Sequence, residues 1–332
     1  MVGRLLAPLS ELGELGVIRI MERLFGSSSR VAVGFGDDVS AVKLPAGKVA
    51  VLKTDMLVGS TDVPPGMTMR QAAMKAVVAN VSDLAAKGVR PLAGLVALGL
   101  PPRLKRSDIT EIGAGLRDSA RKYGFPIVGG DTNESRDLTI AIALFAVADR
   151  HELVLRSGAK VGDLVAVTGD FGSAPAGLKA LLERRKRPKQ LPRSLYDAVF
   201  NPIAELETGV RLAVSGTISA SIDSSDGLAW SLHQLSEASK VGMEIYDVPV
   251  SRAAAEFADR FGYDGNDLAL YGGEEYHLVV TVKRGKFMAA RRAARGNLKL
   301  IGVTTSKSRG VRLKQIGRER GIERRGWEHF KR

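Results

Sequence analysis

The strongest constraint on this chain is a repeated placement of aspartate where apolar segments end. Val31-Ala32-Val33 runs into Gly34-Phe35-Gly36-Asp37-Asp38, and Val49-Ala50-Val51-Leu52 delivers Lys53-Thr54-Asp55. Asn80-Val81-Ser82-Asp83, Gly129-Gly130-Asp131-Thr132 and Asp223-Ser224-Ser225-Asp226-Gly227 repeat the arrangement. Any fold must therefore bring carboxylates close to its core at several places. Taken singly, a Gly-Asp-Asp reads as a solvated turn, because both residue types favour turns. Like charges in a tight turn repel unless water or a cation screens them. The recurrence points to a shared cation, and hard carboxylate oxygens suit Mg²⁺.

Composition narrows the chemistry. The chain has 332 residues, long enough for two domains, and no cysteine. Disulfides, zinc–thiolate sites and cysteine nucleophiles are thereby excluded. His151, His233, His277 and His329 are scattered, show no metal-ligand spacing, and read as structural or surface residues. No apolar run is long enough to span a bilayer. The opening Met1 to Pro8 is too short, and Glu11 and Glu14 too close behind it, for a secretory signal. A cytoplasmic protein is expected. The formal net charge is +13, yet residues 281–332 hold 17 Lys/Arg against Glu319, Glu323 and Glu328, so residues 1–280 come to −1. The basic excess is interleaved with Phe287, Leu298, Leu300, Ile301 and Val303, the pattern of a folded basic surface. That charge alone supports a nucleic-acid-binding alternative, and no nucleic-acid partner is expected.

The order of elements reads as α+β. Glu11 to Phe25 has apolar residues at helical spacing, and Val39–Leu44 and Lys48–Thr54 read as strands around Pro45-Ala46-Gly47. Thr68 with Gln71 is a capping-box signature opening a helix that stops at Gly88. Asn80 and Asp83 fall on or beside its apolar stripe, bonded either to local backbone or to something the stripe faces. Leu92–Leu100 reads as a strand, and Arg106–Tyr123 as an amphipathic helix capped by Ser107. Phe125–Val128 reads as a short strand entering the Gly-Gly-Asp-Thr break, and Leu138–Ala148 as a long strand. A boundary near Asp149 divides 1–148 from 149–332. Beyond it, strands Leu164–Thr168, Ile218–Ile222 and His277–Val282 are expected. Helices are expected at Ala174–Glu183, from Asn201-Pro202, and after Gly227. Taken alone, Asp226 reads as the N-cap of that last helix.

In this order, Gly34-Phe35-Gly36-Asp37-Asp38, Thr54-Asp55, Asn80 to Gly88, Gly129 to Thr132, Arg156-Ser157-Gly158-Ala159, Asp223 to Gly227, Gly272-Gly273-Glu274-Glu275-Tyr276 and Gly326-Trp327-Glu328-His329-Phe330 resemble the thiamine-monophosphate kinase family. The resemblance covers nearly the whole chain. It implies a two-domain fold like aminoimidazole ribonucleotide synthetase. The N-terminal α+β domain would pair in a homodimer, and an α/β C-terminal domain would complete an ATP cleft. The implied reaction passes the ATP γ-phosphoryl to the phosphate of thiamine monophosphate. That acceptor oxygen is already ionised near neutral pH, so no catalytic general base is expected. By resemblance, Asp38, Thr54, Asp55, Asp83, Asp131, Asp223 and Asp226 hold several Mg²⁺ ions. Gly130, Arg156 and Ser225 would contact ATP, and Glu274 and Trp327 the thiamine part, the indole by cation–π attraction. Family members often carry Ser or Thr where Lys53 stands, and many bacterial members have a substrate-contacting His where Asp62 falls. Within the same group, selenophosphate synthetase requires a Cys or selenocysteine that this chain lacks. An aminoimidazole ribonucleotide synthetase-like enzyme is the other reading.

Overall fold

The computed structural model describes residues 8–26, 28–183, 191–315, 317–328 and 330. Met1 to Ala7, most of the basic stretch after Glu183, and His329 of the C-terminal motif lie outside the described residues. Helix α1 (Leu9–Phe25) leads to strands β1 (Val31–Val33), β2 (Ser40–Lys43) and β3 (Lys48–Val58). A short helix α2 (Gly59–Asp62) precedes the Pro-rich loop, followed by α3 (Met69–Lys87), β4 (Ala93–Leu100), α4 (Arg106–Tyr123), β5 (Ile127–Glu134) and β6 (Thr139–Asp149). The strands form one sheet in the order β1-β2-β3-β6-β4-β5, antiparallel except for β4 beside β5. Helices α3 and α4 pack together, and α3 lies against β3 and β6. The opposite face leaves Leu52, Met56, Leu95 and Phe145 exposed, Met56 at 66%.

The second half holds β7 (Leu164–Val167), α5 (Ser173–Leu182), α6 (Arg193–Phe200), α7 (Leu206–Val214), β8 (Ile218–Asp223), α8 (Leu228–Ser239) and β9 (Gly242–Ile245). It continues with α9 (Arg252–Phe261), α10 (Gly265–Tyr271), β10 (Leu278–Val282), α11 (Phe287–Ala293), β11 (Lys299–Thr305), β12 (Val311–Gln315) and β13 (Arg318–Gly321). Its sheet has the order β13-β12-β9-β11-β7-β10-β8, with β9 and β12 its parallel pair. This is a mixed α and β fold of two domains built on two open sheets. The basic C-terminal segment is folded into it, as its interleaved apolar residues imply.

Helix α3 joins the halves. Thr68 Oγ1 accepts the Gln71 N–H at 3.2 Å, and Gln71 Oε1 accepts the Thr68 N–H at 3.0 Å. Such a cap stabilises a helix by about 1 kcal/mol. From Ala72 to Lys87 nearly every residue is buried, because α3 packs against β3 and α4 on one side and α7 and β8 on the other. One hydrophobic cluster therefore runs from Val77 and Leu84 to Leu212, Leu278 and Val280. A helix buried on all sides must satisfy every polar group it carries.

Several local expectations differ. Helix α4 starts after Lys105, not Ser107, and Asp108 accepts the Lys105 N–H at 2.8 Å. Gly129-Gly130-Asp131-Thr132 continues strand β5 instead of breaking it. A side chain at Gly130 would overlap the Val96 carbonyl, so the close approach of β4 requires glycine there. The Asn201-Pro202 dipeptide ends α6, and the next helix begins at Leu206. Helix α8 has Gly227 at its cap with no side-chain hydrogen bond, so Asp226 is not its cap.

Candidate active site

Three elements bring the acidic motifs together. The turn after β1 supplies Asp37 and Asp38, α3 supplies Asp83, and the end of β8 supplies Asp223. Carboxylate oxygens of Asp38, Asp83 and Asp223 all lie within 4.8 Å of one another, and all three residues are buried. Asp223 is oriented by Ser82, whose hydroxyl donates to its Oδ2 at 2.7 Å. Asp55 is fixed through its backbone, because Asn80 Oδ1 accepts its N–H at 2.9 Å. Asn80 Nδ2 also donates to the Ala76 carbonyl at 3.0 Å. Asn80 thus bonds both locally and across to β3.

Three cations interleave with these carboxylates. The Lys53 ammonium lies 2.9 Å from Asp55 and 2.8 Å from Asp83. The Lys87 ammonium lies 2.7 Å from Asp37 Oδ1 and 2.8 Å from Asp38 Oδ2, and donates to the Ser221 carbonyl at 2.8 Å. Arg156 donates from Nε to Asp38 Oδ1 at 2.7 Å, with a second short contact from its terminal nitrogen. The Arg156 backbone N–H reaches Asp37 at 3.0 Å. Lys53 and Lys87 were not singled out in the motifs as partners of these aspartates. Lys87 does stand seven residues after Asn80 and four after Asp83, hence on their face of the helix.

The electrostatic balance is uneven. Burial favours the neutral form of Asp38, but Lys87 and Arg156 outweigh it and hold the carboxyl below its ordinary range. Burial raises Asp83 well above its usual value. Lys53 opposes that, and the charges of Asp223, Asp55 and Asp38 add to it. Burial and Asp38 lift Asp223 to about 6. Burial, then Asp223 and Glu14 of α1, lift Asp226 to about 7. Lys53 faces two carboxylates, whose attraction overcomes its burial and keeps it charged. Carboxyl groups thus outnumber the three resident cations, and the surplus ones are pushed towards their neutral forms. That surplus of buried hard oxygens, uncompensated by the resident cations, fits a divalent cation of the Mg²⁺ type. Asp38, Asp83 and Asp223 could hold one.

The remaining expected site residues fall in different places. Side chains alternate along β3, so Thr54 points with Leu52 and Met56 to the open face, away from Lys53 and Asp55. Asp131 is exposed on edge strand β5, in register with Ala97 on that open face. Gly130 has its backbone on the same edge strand. Ser225 lies beside the cluster, its carbonyl accepting the Glu274 N–H at 2.6 Å. Glu274 and Tyr276 both have positive φ, a strained arrangement for these residues. The Glu274 side chain is ion-paired to the buried Lys75, which also donates to the Asp62 carbonyl at 2.8 Å. The Asp62 carboxylate itself accepts the Val58 N–H at 2.7 Å. The C-terminus folds back onto this region. The Trp327 N–H donates to the Asp226 carbonyl at 3.0 Å, and a side chain at Gly326 would overlap that same carbonyl. The Trp327 side chain is half exposed. Among the histidines, His277 is held between Glu205 at 2.7 Å and Glu275 at 4.0 Å. Glu275 in turn caps α5 through the Gly172 N–H at 2.6 Å and the Ala174 N–H at 3.2 Å.

Comparison with known proteins gives a consistent assignment. Residues 36–148 match the family model described as AIR synthase related protein, N-terminal domain. The chain is 35% identical over 327 residues to a thiamine-monophosphate kinase of Nitrosopumilus maritimus, covering 97% of this chain and 100% of that protein. It is 36% identical over 297 residues to a thiamine-monophosphate kinase of Pyrococcus abyssi, covering 89% and 90%. A solved structure described as AaThiL complexed with AMPPCP and TMP superposes with a TM-score of 0.84 at 27% identity, covering 97% of this chain and 99% of that one.

Proposed function

We propose that this chain, which belongs to the thiamine-monophosphate kinase family, transfers the γ-phosphoryl group of ATP to the phosphate of thiamine monophosphate. A phosphate oxygen of thiamine monophosphate forms the new bond to the γ-phosphorus as the bond from that phosphorus to the ADP oxygen breaks. The products are thiamine diphosphate and ADP. The observation that carries this reading is the convergence of carboxylate oxygens of Asp38, Asp83 and Asp223 within 4.8 Å, all three residues buried. No side chain need remove a proton, because the acceptor phosphate is ionised near neutral pH.

Bound Mg²⁺ supplies neutralisation of the triphosphate charge and alignment of its oxygens. Asp38, Asp83 and Asp223 form the proposed metal-holding core, with Asp55 and Asp226 flanking it. Thr54, Asp131 and the Gly130 backbone would act only from the open face and edge of the first sheet. Arg156, anchored on Asp37 and Asp38, and Ser225 would contact the nucleotide. Glu274, held by Lys75, and Trp327, held over the 223–227 turn, are proposed to receive the cationic thiamine moiety.

We divide the chain at 148/149 and propose a homodimer through the open apolar face of the first sheet. Uncovered Leu52, Met56, Leu95 and Phe145 support that face as an interface. Among the described residues no helix is long and apolar enough to cross a membrane. A cytoplasmic location belongs to the proposal. The deciding experiment incubates the pure protein with ATP, Mg²⁺ and thiamine monophosphate and identifies the products by ³¹P NMR. Thiamine diphosphate and ADP in equal amounts are expected. Free phosphate without thiamine diphosphate refutes the reading.

A further inference from the structure

Lys53 is a cation set among acidic acceptors at the rim of the aspartate group. It is on β3, its side chain faces α3, and its ammonium bridges Asp55 Oδ1 at 2.9 Å and Asp83 Oδ2 at 2.8 Å. Its side chain is only 15% exposed. The Asp83 carboxylate that it touches also belongs to the three-aspartate group whose oxygens lie within 4.8 Å. A cation bridging two carboxylates at the rim of an acidic group does what a bridging divalent ion does. It screens their repulsion and fixes their separation. Lys87 differs: it sits behind Asp38, fully enclosed, with its third donor fixed on the Ser221 carbonyl.

We propose that the Lys53 ammonium is a resident cation occupying the gap between Asp55 and Asp83, so that this gap takes no divalent ion when the site is loaded. This rests on the metal-dependent kinase reading of the same site. Lys53 is a positioning residue: it sets the Asp83 carboxylate for the ions held with Asp38 and Asp223. It also limits the number of ions the site admits. It has a reach that a bound ion does not need, since the charge comes tethered to the strand.

The test counts Mn²⁺ as the probe by EPR, in the presence of AMPPCP, for the wild-type protein and Lys53→Ser. The serine variant is expected to bind one more Mn²⁺ per chain. Its thermal midpoint should fall in EDTA and recover on adding Mn²⁺ by more than the wild type gains. An equal Mn²⁺ count in both proteins overturns the proposal while leaving the metal reading intact. A wild-type protein that binds no Mn²⁺ with AMPPCP overturns the metal reading itself. A second measurement does not depend on the folding of the serine variant. The slowly exchanging ¹⁵N ammonium signal of Lys53, assigned through Lys53→Arg, should persist at saturating Mg²⁺ and AMPPCP. Its merging with fast-exchanging surface lysines on adding Mg²⁺ overturns the proposal.

Discussion

Replacing Lys87 by methionine removes a buried cation while keeping most of the side-chain volume. Lys87 is completely buried and holds Asp37 at 2.7 Å, Asp38 at 2.8 Å and the Ser221 carbonyl at 2.8 Å. Breaking a buried ion pair by deleting one partner costs about 3–5 kcal/mol, because the other charge is left uncompensated. Asp38 would keep Arg156, and Asp37 would keep the backbone N–H groups of Asp38 at 2.9 Å and Arg156 at 3.0 Å. The cost therefore belongs near the lower end, about 3 kcal/mol. With about 2.1 cal/mol/K of unfolding entropy per residue, 332 residues give about 0.7 kcal/mol/K, and the midpoint should fall by about 4 °C.

The control is Arg90→Met. Arg90 is paired with Glu207 on the surface, with both side chains more than half exposed. Exposed pairs contribute about 0–1 kcal/mol, so that midpoint should move by about 1 °C or less. Salt should weaken the Arg90 effect further and leave the Lys87 effect nearly unchanged. Calorimetry in EDTA at low and high salt reads both. Equal shifts for the two variants would refute the argument that Lys87 neutralises a buried acidic turn.

Other outcomes follow from the same charges. Asp83→Asn should hold or raise the thermal midpoint in EDTA, because burial and three neighbouring carboxylates outweigh Lys53 in the native state. It should also lose most Mg²⁺-dependent turnover; a lowered midpoint with normal specific activity would contradict the metal role. In EDTA, stability should rise as pH falls from about 8 towards 5. Asp223, Asp226 and Glu275 have native values of about 6, 7 and 7, above ordinary carboxylates, so the native state binds more protons than the unfolded state in that window. A midpoint that instead falls steadily over that range would show these groups ionised without penalty. Trp327→Ala should raise the thiamine monophosphate KM and leave the ATP KM nearly unchanged, and steady-state kinetics with each substrate varied checks this; equal rises would assign the indole to packing.

Local signals were legible where the partners are near in sequence. Thr68 with Gln71 marks the start of α3, and Gly88 with its left-handed backbone marks the end. Where partners are remote, the same residue types misled. Asp226 reads as a helix cap because it precedes α8, yet burial and the charge of Asp223 define its setting. The Gly129-Gly130 pair reads as a break, yet Gly130 is glycine because the Val96 carbonyl of β4 passes too close for a side chain. Thr54 and Asp55 are adjacent and read as one motif, but strand alternation sends their side chains to opposite faces. That separation was available in the sequence once Val49 to Leu57 was read with period two. The partners of Lys87 were not, since Asp37 and Ser221 are brought to it only by the packing of α3 between two sheets.

The placement of the cluster on α3 has an energetic consequence for ligand binding. The three resident cations sit at the edges, so Asp83 and Asp223 keep raised proton affinities at the centre. In the absence of ligand this disfavours their ionised forms and weakens the native state. A cation that binds only the folded chain relieves that penalty, and its whole stabilisation is RT ln(1 + [L]/Kd), about 2.7 kcal/mol at one hundred times Kd. By the same unfolding entropy that is about 4 °C in the midpoint, comparable to the loss expected from Lys87→Met. Asp83 belongs to α3 of the first domain, and Asp223 ends β8 of the second. A ligand drawing both carboxylates to one point therefore tightens the junction between domains.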